Sequence, residues 1–232
     1  MEYYYNTITL ITELISSYKN HDVDRKTEPG DCFATNQSDF IKMLRDVVTI
    51  CSFFGVETFD ERINSYNKAI NELEHSLRIG SKVGAHNSLM LLNVLFETPK
   101  KELTERLNLL NEDEKVRLNE AFNCYVNDLY YSAIVMSVSS IESRLFTIMQ
   151  FIQKNKILDK MTLGGLITEY LENENSYNRI IPQKHLQLLH YCNTYRVLSV
   201  HPKKEKITKS NATAVLSMTC SFLFDENMKI GE

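Results

Sequence analysis

The sequence has no tryptophan, only four prolines and only seven glycines in 232 residues. So few turn-formers leave little room for the repeated tight reversals of a β-rich fold. Five cysteines, at positions 32, 51, 124, 192 and 220, are scattered and odd in number, with no C-x-x-C pair. That pattern argues against a disulfide framework or a cysteine zinc site and reads as reduced thiols of a cytoplasmic protein. No apolar run approaches the roughly 18 residues of a membrane span, and Met1-Glu2-Tyr3-Tyr4-Tyr5 lacks the basic start of a signal peptide. A membrane partner is not expected. Also missing are a P-loop, G-x-G-x-x-G, H-E-x-x-H and G-x-S-x-G, so no cofactor or metal is expected either.

What is present is helical. Charged residues make up 24% of the chain, ordinary for a globular protein with an ample core. Tyr4, Ile8, Ile11, Ile15 and Tyr18 form one apolar stripe over residues 3–18, and residues 20–37, with a Pro-Gly pair, read as a loop. Ser38 or Asp39 can cap a helix through Phe40, Leu44, Val47, Val48 and Cys51 that ends before Gly55. Phe59, Ile63, Tyr66, Ile70, Leu73 and Leu77 alternate spacings of four and three and predict one helix closed by Gly80. Further helices are expected over about 84–97, where Thr98-Pro99 stops the run, and over 100–110 as a short connection.

Asn111 and Glu114 have the spacing of a capping box and open the second half. A helix through Leu118, Phe122 and Val126 is followed by a long apolar one from about Tyr130 to Lys154. Small residues on that helix permit close approach, which suits the middle of a bundle. Gly164-Gly165 interrupts or opens the next helix, Pro182 suits the first turn of another, and a last helix starts at Lys209 or Ser210. The expected fold is all-α: a helical bundle in 111–232 with an additional N-terminal helical region, residues 1–110, of no assigned role.

Charge is uneven. The net −4 lies wholly in residues 1–111, while 112–232 balance, with Lys203, Lys204, Lys206 and Lys209 clustered near the C-terminus. Such a rim could hold a phosphate backbone, and it could equally be a solvated loop.

Just before the rim stands Tyr195-Arg196-Val197-Leu198-Ser199-Val200-His201-Pro202. On a continuous helix, five residues turn about 500° and leave Arg196 and His201 about 140° apart. Pro202 disfavours helical geometry at His201, so the helix should stop there and free the imidazole to swing back. Arginine and histidine together supply anion stabilisation and acid–base capacity, the needs of phosphodiester chemistry.

These residues carry a resemblance. Glu120-Ala121-Phe122-Asn123-Cys124-Tyr125, then Tyr131-Ser132-Ala133-Ile134 leading to Ser140-Ile141-Glu142-Ser143-Arg144-Leu145, resembles the first two helices of HEPN domains. Leu163-Gly164-Gly165-Leu166-Ile167 is similar to their third helix, and Arg196 through His201 matches their Arg-x(4–6)-His signature. The resemblance covers about residues 111–226. It implies a four- or five-helix bundle that dimerises about a two-fold axis and, in active members, a metal-independent endoribonuclease, often a toxin or defence effector. It further implies RNA or a nucleotide as ligand and a protein inhibitor or partner. In the mechanism it implies, one His201 takes a proton from a ribose 2′-hydroxyl, the partner's His201 protonates the leaving oxygen, and Arg196 holds the phosphorane charge. The family commonly has asparagine directly after the arginine. Here Val197 stands there, and Asn193, three residues before Arg196, is the candidate to replace it. The alternative implied by this departure is a non-catalytic scaffold that binds a nucleotide or a protein.

Two more residues complete the candidate site. Glu142, on a largely apolar helix, needs a partner if buried, and Arg196 is the natural one. Tyr195 could stack a base or belong to the core. His185 and His190 lack a nearby third ligand and read as structural or surface residues.

Overall fold

The structure, a computed structural model, describes residues 37–154, 158, 161–201 and 206–228. The helix expected over 3–18, Cys32, Lys203 and Lys204 lie outside the described residues. Among those described the chain is all-α, with ten helices and no strand. None of these helices is long and apolar enough to cross a membrane. The chain divides into two compact units, Met1–Thr104 and Glu105–Glu232.

Unit 1 contains α1 (Gln37–Ser52), α2 (Glu57–Asp60), α3 (Ile63–Arg78) and α4 (Lys82–Glu97). Helix α1 begins at Gln37, so Ser38 and Asp39 lie in its first turn instead of capping it. The run from Phe59 to Leu77 is not one helix. Val56, in extended geometry, starts the short α2, and α3 starts afresh after Arg62. The apolar spacing survives the break, because Phe59 still reaches the core. Tyr66 stacks between Phe59 and Phe96, with ring centroids 4.6 and 4.9 Å away. Its hydroxyl donates to the Leu95 carbonyl, which satisfies the one polar atom of a fully buried ring. Arg45 of α1 donates to Glu74 of α3 at 2.6 Å. Between α3 and α4 the backbones come close: a Cβ on Gly84 would lie 2.4 Å from Ser76 Oγ. Ser81 caps α4, accepting from the Gly84 N–H at 3.2 Å.

Helix α5 (Lys100–Leu107) spans the point of division. Unit 2 continues with α6 (Glu112–Val126), α7 (Tyr130–Ile152), α8 (Leu163–Glu172), α9 (Gln183–Val200) and α10 (Lys209–Leu223), and ends in a 3₁₀ turn, Glu226–Met228. Helix α7 is the hub: α6, α8, α9 and α10 all pack on it. Its inward residues, among them Ala133, Ile134, Val138, Ile141 and Leu145, are fully buried. The Asn111 capping box is formed, with Asn111 Oδ1 accepting from the Glu114 N–H and Glu114 Oε2 from the Asn111 N–H.

That same glutamate does a second job. Arg144, on the hub helix, donates from Nε and Nη2 to the two oxygens of Glu114, each at 2.6 Å. Both side chains are sealed, at 1% and 0% exposure. The remaining donors go to backbone carbonyls: Nη2 to Leu109 at 2.6 Å, Nη1 to Met228 at 2.9 Å and more distantly to Leu223 at 3.4 Å. All five guanidinium N–H groups therefore have acceptors, the condition for keeping a cation in a core. Cys124, Cys192 and Cys220 are buried free thiols in this unit, as Cys51 is in unit 1.

Candidate functional site

The site forms where α7, α8 and α9 meet. Helix α9 ends at Val200, and His201 leaves it in extended geometry, φ −111° and ψ 125°. Its N–H still closes the last turn on the Val197 carbonyl at 3.1 Å, while its side chain is exposed. One turn and a half earlier on α9, Arg196 is half-buried and its Nε lies 3.2 Å from Glu142 Oε1 on α7.

The same Glu142 oxygen accepts the N–H of Leu163, the first residue of α8, at 2.7 Å. Thr162 offers that helix no side-chain cap. Glu142 takes the cap's place from another helix, and the positive end of α8 adds to the attraction. The carboxylate is thus half-buried, 22% exposed, and doubly held. The fully buried carboxylate of this unit is Glu114.

Asn193, three residues before Arg196, also faces the start of α8. A Cβ on Gly164 would lie 3.1 Å from Asn193 Nδ2, so the glycine lets α9 close on α8 at this point. Among the described residues the Nη hydrogens of Arg196 have no acceptor. An arginine ion-paired on its Nε side and open at Nη is suited to a second anion, with the first charge already balanced by Glu142.

Tyr195 neither enters the core nor stands free. Its hydroxyl accepts from Asn211 Nδ2 at 3.0 Å, and its ring lies 4.7 Å from that of Tyr191. Burial, followed by a hydrogen bond to Tyr195, pushes the Tyr191 phenol up to about 12. Asn211 belongs to the capping box of α10, so Tyr195 ties the end of α9 to the start of α10, across the segment that follows His201. Lys206, in that segment, is exposed. Of the candidate residues, Arg196, Glu142 and Asn193 come together at the start of α8. His201 stands at the end of the same helix, and Tyr195 serves the return of the chain.

His190 is exposed. His185 is buried, with Nε2 2.8 Å from Asp225 Oδ2 and its ring edge-on to Phe222. Lys184 Nζ reaches the same oxygen at 2.7 Å. No group of three or more potential metal ligands forms among the described residues. The backbone N–H of Leu163 and the close approach at Gly164 were not foreseen from the sequence. The available signal was the Leu-Gly-Gly run, which marks a helix start without saying what faces it.

No family model, curated protein or solved structure matches this chain.

Proposed function

We propose that unit 2 is a HEPN-type, metal-independent endoribonuclease module in which Arg196 and His201 act on the scissile phosphodiester. The observation that carries this reading is the end of α9: Arg196 is ion-paired with Glu142 on its Nε side with its Nη groups open, and the helix stops so that His201 is exposed five residues later. An ion-paired guanidinium costs little further ordering when it receives phosphate charge. An exposed imidazole is open to substrate and can serve as acid or base. One chain supplies one such histidine, so acid and base acting together require two copies, and the reading includes a homodimer. Lys206 and the lysines at 203 and 204 would hold the RNA backbone.

The test is cleavage of labelled single-stranded RNA in EDTA by wild type, His201→Ala and Arg196→Ala, with the oligomeric state measured by light scattering. Cleavage by wild type alone is expected. Undiminished cleavage by His201→Ala overturns the assignment.

A second reading, a non-catalytic scaffold for a nucleotide or a protein, is favoured by Glu142, which already balances the charge of Arg196. Under it, wild type leaves RNA intact, and a bound nucleotide raises the midpoint of thermal unfolding by mass action.

A further inference from the structure

Unit 1 has a feature that the reading of unit 2 does not use. An open groove of about 810 Å³ runs between α3 and α4. While α3 turns Tyr66, Ile70 and Leu73 into the core, its opposite face shows Asn64, Asn67 and Asn71 to solvent along one side of the groove. Across from them, α4 shows Asn87 and, one turn on, Leu91, an apolar side chain 44% exposed. At the floor, Ser76, Gly84 and Ser88 are small enough to let the helices touch.

We propose that this groove binds an extended peptide segment of a partner protein, recognised through its main chain. A carboxamide has one acceptor and an NH₂ donor, which complement the C=O and N–H of a peptide unit. Asn67 and Asn71 are one turn apart, about 6 Å along the helix. An extended chain advances about 6.7 Å every two residues, so consecutive same-side peptide groups meet consecutive asparagines. From Asn64 to His75 the groove is about 16 Å long, room for about five extended residues.

Asn71 is already set for this. Its Oδ1 accepts from Arg45 Nη2 at 3.1 Å, and since arginine only donates, the amide must turn Nδ2 the other way, as a donor for a ligand carbonyl. Arg45 is itself held by Glu74. Leu91 then takes the apolar side chains that alternate toward it.

The lining disfavours other ligands. No Phe, Tyr or Trp lines the groove for a base or a sugar to stack on, and its one aromatic ring, the small imidazole of His75, is engaged by Arg78 Nη2 at 3.2 Å. Its one lysine, Lys68, is 3.9 Å from Glu72, so there is no unopposed positive track for a phosphate backbone.

The test is selection of a random linear decapeptide display library on the full chain. The most enriched peptide is then synthesised with a fluorophore, and its binding is read by anisotropy. The expected result is enrichment, with at least a tenfold loss of affinity in Asn67→Ala/Asn71→Ala and a similar loss when the peptide's alternate amides are N-methylated. Asn71→Asp keeps the shape and the Arg45 contact but exchanges the donor for an acceptor, and it should also lose binding while melting like wild type. Library selection with no enrichment over a control protein overturns the proposal. So does a selected peptide that binds the asparagine variants or survives N-methylation unchanged. Binding of a labelled single-stranded RNA 12-mer that the asparagine variants abolish would also overturn it, in favour of a nucleic-acid groove.

Discussion

Replacing Arg144 by methionine tests whether the sealed Arg144–Glu114 pair holds unit 2 together. The substitution preserves most of the side-chain volume and removes the charge. Glu114, at 0% exposure, is then left with a buried carboxylate whose paired cation has gone. Breaking such a pair on one side costs about 3–5 kcal/mol. The Leu109 and Met228 carbonyls lose donors at the same time, at about 1 kcal/mol each where water cannot replace them. About 6 kcal/mol is the expected loss, which at roughly 4 °C per kcal/mol lowers the midpoint of this unit by about 24 °C. Because the chain has two units, the assay must report on one. Cys192 and Cys220 are buried in unit 2, and burial pushes the Cys192 thiol up to about 12 and the Cys220 thiol higher still, so both react only on opening. Thiol-labelling rates of these two residues across a urea series give the stability directly. Glu114→Gln in the Arg144→Met background removes the stranded charge, so the double variant should be more stable than the sum of the singles by about 2 kcal/mol. A single variant within about 1 kcal/mol of wild type, or strict additivity, would refute the reasoning.

Asp225 gives a dependence on pH. Its carboxyl is held well below the ordinary carboxylate range, first by the Lys184 hydrogen bond and then, against burial, by His185 and the Asn227 amides. A depressed carboxylate contributes stability that is fully present above about pH 5 and drains away as the pH falls below about 4. Wild type should therefore lose more stability than Asp225→Asn between about pH 5 and pH 2, as measured by urea midpoints at each pH. In unit 1, Gly84→Ala places a methyl group 2.4 Å from Ser76 Oγ and should destabilise by about 1–3 kcal/mol through overpacking. The loss should shrink when Ser76→Ala removes that oxygen, a comparison readable from Cys51 labelling.

Local chemistry in this chain is legible in sequence, and meetings over distance are not. Asn111 and Glu114 show their capping box through three-residue spacing, and Pro202 marks the end of α9 at His201. Both depend on the backbone of a few neighbours. Nothing local tells that Glu114 also meets Arg144, thirty residues on, since that contact requires α6 to have packed on α7. Glu142 was legible as a carboxylate in want of a cation. Its second role, as the cap of α8, arises because Thr162 leaves that helix end open. The α3 periodicity shows which residues face the core, yet it reads through the break at Glu61 and Arg62, because a stripe records the side on which a residue lies and not the continuity of the backbone beneath it. The asparagines of the groove occupy positions where any polar residue satisfies the same pattern.

The bonds of Arg144 also set where this unit could be cut out of the chain. One guanidinium collects a carbonyl from before α6, at Leu109, and another from the last described turn, at Met228. A fragment begun at the capping box, or trimmed after α10, keeps every helix of the bundle but leaves a buried cation short of an acceptor. The smallest excerpt that should behave as the intact unit therefore starts before Leu109 and runs through Met228, so its ends are set by one side chain's hydrogen bonds and not by the last helical residue on either side.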